Sequence, residues 1–333
     1  MKYKLESAKG FGAKSSVRSG FKRLQPLMAE ERSHIIAAVI AMLVSSGATL
    51  VAPVIIGRAI DTYVRLKDTQ GLVRSSLLLL AVYLVGIAGS YTQIRTMGGV
   101  GRRILFSLRN GLFTKLQELP LAFFNENKAG DLISRVNNDT DKLNQFVGQG
   151  LMQFVGSLFL MTGVAVFVLS LHLRMGIAAL LPAIGVLAVT KLSSGWVKRK
   201  NMRSLQSLGG LSSEIQESLH NFKVIVAFHR MDYFQKKFKV ANDANYAASV
   251  SAGFANNIFM PMYGFSNQLA QLLVVAYGLI LIDQGQLTVG LLVGFLLYVN
   301  NFYGPMRQLA TVWSSFSLAT AALDRISEMT ALE

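Results

Sequence analysis

Side chains able to do chemistry are scarce in this sequence, and those present are amides, phenols and paired charges. There is no cysteine, so no disulfide framework, metal-thiolate site or thiol nucleophile exists. His34, His172, His220 and His229 show no metal-ligand spacing, and each is expected at a membrane boundary or in a loop. No Asp or Glu lies deep in an apolar run, where a proton-driven carrier would usually need a titrating carboxylate. What remains is hydrogen-bonding capacity set inside apolar sequence. Asn256, Met260, Tyr263, Asn267 and Gln271 are spaced 4, 3, 4 and 4 apart, which puts them on one face of a helix. Gln145, Gln149 and Gln153 recur every four residues before Gly156, and Tyr298, Asn301, Phe302 and Gln308 follow in a later run. Polar groups at membrane depth are costly and usually face the bundle interior. Two readings stay open for them: interhelical hydrogen bonds worth about 0.6 kcal/mol each, or the lining of a substrate path. Gln149, Gln153, Asn256, Met260, Tyr263, Asn267, Gln271, Tyr298, Asn301 and Phe302 are the path candidates. Amides, aromatics and methionines suit a bulky amphiphile better than an inorganic ion, because such surfaces adapt to varied shapes.

The second concentration of polar groups is the stretch "LAFFNENKAGDLISRVNNDTDKLNQFV", residues 121–147. Pro120 is expected to end the helix before it, Asn125 to cap a short helix after it, and Gly130 to allow a sharp change of direction. From Asp131 the pattern is helical again. Asp131–Arg135 and Arg135–Asp139 are i,i+4 pairs, and Leu132, Val136, Leu143 and Val147 form an apolar stripe. Such pairs contribute only about 0.3–0.5 kcal/mol each. The stretch therefore reads either as a solvated hairpin tip or as a contact surface for a partner. A second stretch, "EIQESLHNFKVIVAFHRMDYF" at 214–234, is too apolar for a tip in water. Its Phe222, Val224, Ile225, Val226, Phe228 and Met231 mark a protein–protein interface or a face packed on the first hairpin.

The elements that must carry these groups follow from hydropathy and charge. Of the 333 residues, 52% are hydrophobic and 15% charged, against roughly 25% charged in a soluble domain. Stretches without Asp, Glu, Lys or Arg run over 33–57, 75–94, 143–173, 175–190, 244–282 and 284–306. Crossing a hydrocarbon core of about 30 Å takes roughly 17–25 helical residues, so six membrane helices are expected. Lys191 can snorkel at the end of the shortest run. A further charge-free run, 308–323, has Leu309, Val312, Phe316 and Leu323 on one face, the pattern of a helix continuing into water.

The net charge of +15 is a topology signal. The N-terminal segment, the 95–142 loop, the 191–243 loop and the C-terminus hold 8, 8, 10 and 2 basic residues, and the opposite loops hold 4, 1 and 0. Basic residues are retained in the cytoplasm. Both termini are thus expected there, in a multi-pass protein of a bacterial plasma membrane, and no nucleic-acid partner is needed to explain the charge. The two inner connections are each about 50 residues long and keep a helical apolar rhythm (Leu105, Leu108, Leu112, Leu116, Leu119; Leu208, Leu211, Ile215, Leu219). They read as membrane helices that continue beyond the bilayer, turn and return. The second, extended from Ser75 to Gln117, would be about 65 Å long. The first apolar run starts too late for a signal peptide. Residues 1–32 read as a basic arm, with "GFKRLQPLM" as an interfacial helix.

Taken together, the two tips resemble those of the transmembrane domain of ATP-binding cassette exporters, the six-helix type with long intracellular loops. The resemblance covers residues 20–333. "VAPVIIGRAID" (51–61) is similar to the end of that family's first helix. "FFNENKAGDLISRVNNDTDKL" (123–143) is similar to its first coupling region, with Asn125 where Asp is common, and "EIQESLHNFKVIVAF" (214–228) to its second. "VGLLVGFLLYVNNFYGPMRQL" and "ATAALDRISEM" resemble the sixth helix and its exit toward the ATPase. The resemblance implies an all-α transmembrane domain over 33–323, with spans near 33–57, 76–99, 148–171, 174–193, 257–282 and 288–311 and intracellular loops at 100–147 and 194–256. It implies coupling contacts to a nucleotide-binding domain at Asn125, Glu126, Asn127, Lys128, Gly130, Asp131 and Arg135, and at His220, Phe222, Lys223, Val224, Ala227 and Phe228. It also implies a second transmembrane half, identical or different, and export of an amphiphile such as a lipid, drug-like molecule or peptide.

No Gly-Lys dipeptide occurs, so the phosphate loop of an ATPase is absent. "SLGGLS" at 207–212 reads as helix rather than as an ATP contact. ATP and magnesium are expected on an associated nucleotide-binding domain. Residues 324–333 are expected to begin a linker toward that domain, in a truncated half-transporter rather than one with a separate ATPase chain. The alternatives are a self-contained secondary carrier or channel, with dispensable tips, and a membrane-embedded enzyme, for which no convergent set of catalytic groups is found.

Overall fold

A computed structural model of the chain describes Leu5 and residues 28–331. The basic arm and its interfacial helix fall largely outside the described residues. Among the described residues the chain is all-helical. Six long helices are long and apolar enough to cross a membrane: α1 (Arg32–Val64), α2 (Thr69–Glu118), α4 (Ala129–Leu171), α5 (Leu173–His220), α7 (Met231–Asp283) and α8 (Val289–Thr330). Two short helices, α3 (Leu121–Glu126) and α6 (Phe222–Ala227), form the tips of the α2–α4 and α5–α7 hairpins. The expectation of six spans and long helical hairpins thus stands. At 1.5 Å per residue, the 50 residues of α2 extend about 75 Å, more than twice the hydrocarbon thickness.

Local sequence sets the ends. Asp68 caps α2, its Oδ1 accepting from the Gly71 N–H at 3.0 Å. α2 stops because Pro120 holds Leu119 in an extended conformation. Asn125 does not cap the following helix. It lies within α3, which starts directly after Pro120, and Lys128 precedes α4. Gly130 does not make the bend either. It sits in the first turn of α4 with open space around it, and the direction change falls at Asn127 and Lys128, both extended. α7 is interrupted at Ile258, three residues before Pro261, which has no N–H to continue the ladder.

The chain forms two compact units. One comprises residues 1–176 and 274–333, the other 177–273. In the first, α1 packs along α2, and α8 lies against both α4 and α1. Its core at the α3 end unites Ile104, Leu112, Leu119, Phe123, Leu132, Leu143, Val147, Phe316, Leu323 and Met329. The stripe expected on α4 is therefore buried, with Val136 half-buried beside it. α8 continues to Thr330 as one helix, with Val312, Phe316 and Leu323 on its buried face. Close helix contact depends on glycine at two places. A Cβ on Gly101 would lie 3.0 Å from the Gly148 Cα, and one on Gly57 would lie 2.8 Å from the Gly290 carbonyl oxygen. α4 and α1 also contain wide π-helical turns at Arg135–Asp139, Phe146–Gly150 and Ile60–Val64, a feature that often accompanies function. The second unit holds most of α5 and α7 and the α6 tip between them.

Candidate functional site

Two of the path candidates donate hydrogen bonds to the backbone of α1. Pro53 lies inside α1, and a proline there leaves the carbonyl four residues earlier without its helical donor. That carbonyl belongs to Thr49, and Asn301 of α8 donates to it from Nδ2 at 3.5 Å. One residue on, Tyr298 donates its hydroxyl to the Leu50 carbonyl at 2.6 Å. Tyr298 is fully buried, with the Phe167 ring 5.9 Å from its own. In a membrane a freed backbone group must find a donor inside the protein, and for the Thr49 carbonyl α8 provides it through Asn301. Phe302 is half-buried, edge-on to Tyr303.

Within the second unit, Asn256 and Asn201 exchange both amide hydrogen bonds, at 2.8 and 3.0 Å. Asn256 is therefore a clasp between α7 and α5. Gln271 donates to Asn267 one turn away on the same helix at 3.5 Å. Tyr263 is buried, while Met260 stands 58% exposed. On α4, Gln149 is exposed and Gln153 half-buried. The five residues expected on one face of α7 differ in exposure, and the interruption at Ile258 separates Asn256 from the other four.

The first tip is joined to the end of α8 by a charge network. Arg135 is fully buried. Its Nε donates to Asp131 Oδ2 at 3.1 Å, and its Nη1 donates to Glu328 Oε2 at 2.8 Å and to the main-chain oxygen of Arg325 at 2.6 Å. Arg325 reaches back, with Nη2 on Asp131 Oδ1 at 2.5 Å and Nη1 3.0 Å from Asp139 Oδ2. Lys142 completes the set at 2.8 Å from Asp139 Oδ1. Arg135, Arg325 and Lys142 balance Asp131, Asp139 and Glu328, so the interior placement of Arg135 and Asp139 leaves no net charge unpaired. The i,i+4 pair Asp131–Arg135 is present, while Asp139 serves Lys142 and Arg325. Of the other tip residues, Asn125, Glu126, Lys128 and Gly130 are exposed, and Asn127 is half-buried.

The second tip is apolar and open. Phe222, Val224, Val226, Phe228 and Met231 are all exposed, Phe228 by 74%, and Ile225 alone of the stretch turns inward. His220, Lys223 and Ala227 are exposed as well. After α6, His229 takes a left-handed conformation with φ 48°. A shallow cavity of about 500 Å³ lies beside the tip on α5, lined by Ser212, Ile215, Gln216, Leu219 and His220.

At the other end of the first unit, Asp61 holds the start of α8. It accepts from the Thr288 hydroxyl at 2.5 Å and from the Gly290 N–H at 2.8 Å. Near the start of α1, Glu31 and Arg103 of α2 form a two-pronged pair with both contacts at 2.6 Å. The Arg103 guanidinium holds the Glu31 carboxyl below the usual carboxylate range, with a smaller contribution from His34.

Residues 35–306 match the family model of the ABC transporter transmembrane region. The chain belongs to that family. An ABC transporter ATP-binding protein of Bacillus subtilis, YfiC, is 26% identical over 330 residues, covering 98% of this chain and 54% of its own length. A fatty acid ABC transporter ATP-binding/permease protein of Mycobacterium tuberculosis is 26% identical over 79% of this chain and 42% of its own. A multidrug resistance ABC transporter ATP-binding and permease protein of Lactococcus lactis is 26% identical over 76% and 43%. The chain spans about half the length of the curated relatives it matches.

In this ABC transporter transmembrane region, the sequence does not show which residues meet Arg135 on α8. Arg325 and Glu328 lie 190 or more positions from Arg135, and nothing in the local pattern names them. The Thr49 carbonyl could have been found, since Pro53 implies it. Its donor could not.

Proposed function

We propose that this chain is the membrane-spanning half of an ATP-driven exporter, and that it couples ATP hydrolysis on a nucleotide-binding domain to alternating access for an amphiphile. The observation that carries this reading is the second tip. Five large apolar side chains stand exposed on and directly after a six-residue helix, at the end of two helices that outrun a bilayer. A solvent-exposed apolar cluster of this kind needs a protein partner. In an ABC transporter transmembrane region, the partner is the nucleotide-binding domain, which brings the ATP and magnesium chemistry. His220, Phe222, Lys223, Val224, Ala227 and Phe228 form its docking surface, and Asn125 to Asp131 form a second contact braced by Arg135.

The functional unit is two such halves in one bilayer, with the tips and both termini in the cytoplasm, as the distribution of basic residues supports. Gln149, Gln153, Asn256, Met260, Tyr263, Asn267, Gln271, Tyr298, Asn301 and Phe302 are the residues we propose along the path. Relatives that carry fatty-acid and multidrug names support a lipid-like or drug-like amphiphile as the substrate.

The test is reconstitution of the chain with its nucleotide-binding domain, fused or separate, in vesicles containing a fluorescent amphiphile. Movement that requires hydrolysable ATP, and persists when ion gradients are collapsed, supports the proposal. Movement driven by an ion gradient without ATP overturns it in favour of a secondary carrier.

A further inference from the structure

Leu5 lies far from the first tip in sequence and against it in space. Its side chain is only 8% exposed and belongs to the core that includes Leu119, Phe123, Leu132 and Met329. Its backbone N–H donates to Asn127 Oδ1 at 3.0 Å, across 122 positions of sequence. The same Asn127 side chain donates from Nδ2 to the Phe123 carbonyl at 2.8 Å. One amide thus closes the last turn of α3 and holds the backbone of Leu5. A resident apolar side chain and a matched backbone hydrogen bond are the two components of peptide recognition in a groove.

We infer that Leu5 is an intramolecular ligand of the first tip and a positioning residue of the coupling joint. The contact stands by itself; its role in coupling rests on the function proposed above. Leu5 supports the tip and does not mask it. Its side chain enters the core that also receives Ile326 and Met329 of α8, while Leu121, Phe124 and Ile133 of the tip remain exposed. The anchor is therefore compatible with a partner docked on those outer side chains. The tether permits the seat. The 22 residues between Leu5 and Met28 can span on the order of 75 Å when extended. From Arg103, which is paired with Glu31, to Glu118 is about 22 Å of helix. Binding within one chain also keeps the local concentration of the anchor high.

The chain has no cysteine, so a designed pair is clean. Leu5→Cys combined with Asn127→Cys is treated in native membranes with the shortest bis-methanethiosulfonate cross-linker. Leu5→Cys with Asp68→Cys, at the far end of α2, serves as the control. The first pair is expected to cross-link within one chain and the control is not; an unlinked first pair overturns the seat. In the transporter assembled with its nucleotide-binding domain, the cross-linked and the reduced forms of this double variant are expected to transport equally. Transport that stops on tethering and returns on reduction overturns a supporting role, because the segment must then leave the tip. Leu5→Asp is expected to lower transport per ATP hydrolysed at least fivefold while Leu5→Ile retains it; normal coupling in Leu5→Asp also overturns that role. Cross-linking in a protein that shows no ATP-dependent transport in any variant upholds the seat and sinks the proposed function instead.

Discussion

Arg135 donates to the main-chain oxygen of Arg325 at 2.6 Å, tying the start of α4 to the last turns of α8. A backbone acceptor fixes geometry more firmly than a side chain, because it cannot rotate away. With Glu328 and Asp131 on the same guanidinium, the first tip and the end of α8 cannot move independently without breaking charge-assisted bonds. In the proposed exporter this is the place where force from the nucleotide-binding domain enters two membrane helices at once.

Replacement of Arg135 tests that tie. Arg135→Met leaves Asp131, Glu328 and the Arg325 carbonyl short of a donor, and losing one member of a buried charge network costs about 3 kcal/mol or more. The expected result is a clear drop in thermal midpoint in detergent and loss of transport. Arg135→Lys recovers stability in part but not coupling, since an ammonium cannot reproduce the fork. Equal melting of wild type and Arg135→Met would show the network to be ornamental.

Tyr298→Phe removes one hydroxyl and leaves the Leu50 carbonyl without that donor, at a cost of about 1–3 kcal/mol. Asn301→Leu acts on the neighbouring Thr49 carbonyl, so the two changes are expected to be less than additive. Thermal unfolding of the two single variants and the double variant measures this. If instead Tyr298→Phe leaves stability unchanged and alters only substrate preference, the residue acts on the path alone.

Glycine substitutions separate two roles. Gly130→Ala is expected to be neutral or slightly stabilising, since its surroundings are open and its helical conformation suits alanine. Gly101→Ala forces α2 from α4 at the contact with Gly148, and overpacking of this kind costs about 1–3 kcal/mol. Expression level and thermal midpoint report both. A disruptive Gly130→Ala with a silent Gly101→Ala would reverse this assignment.

The Glu31–Arg103 pair makes a pH prediction. The folded-state pKa of Glu31 lies below the ordinary carboxylate value, so its contribution is complete above that value and is lost as pH falls through the lowered one. The stability gap between wild type and Glu31→Gln should therefore be open at pH 6 and close as the pH falls into the acid range. Stability curves for the two proteins across pH decide it.

The spans and hairpins were legible because lipid imposes a demand that sequence displays directly: long runs without charge, and backbone satisfied within each helix. The buried stripe of Leu132, Leu143 and Val147 was legible for the same periodic reason. Asn125 and Gly130 misled because the residue types of caps and turns also occur inside and at the start of helices. Leu119 and Asn127, extended on either side of α3, set the bend without a glycine. The charge network, the Asn201–Asn256 clasp and the seat of Leu5 were not legible, since each joins residues 55 to 194 positions apart. Periodicity sorts residues onto faces but does not say which faces meet.

The central claim is that the exposed second tip transmits ATP turnover to the membrane helices. The most direct measurement is transport per ATP hydrolysed for Phe228→Asp in the assembled transporter, with membrane insertion checked separately. Phe228 is exposed, so the fold should survive the charge. The account predicts normal insertion and continued ATP hydrolysis, with transport reduced at least tenfold. Transport and hydrolysis at wild-type ratio would contradict it.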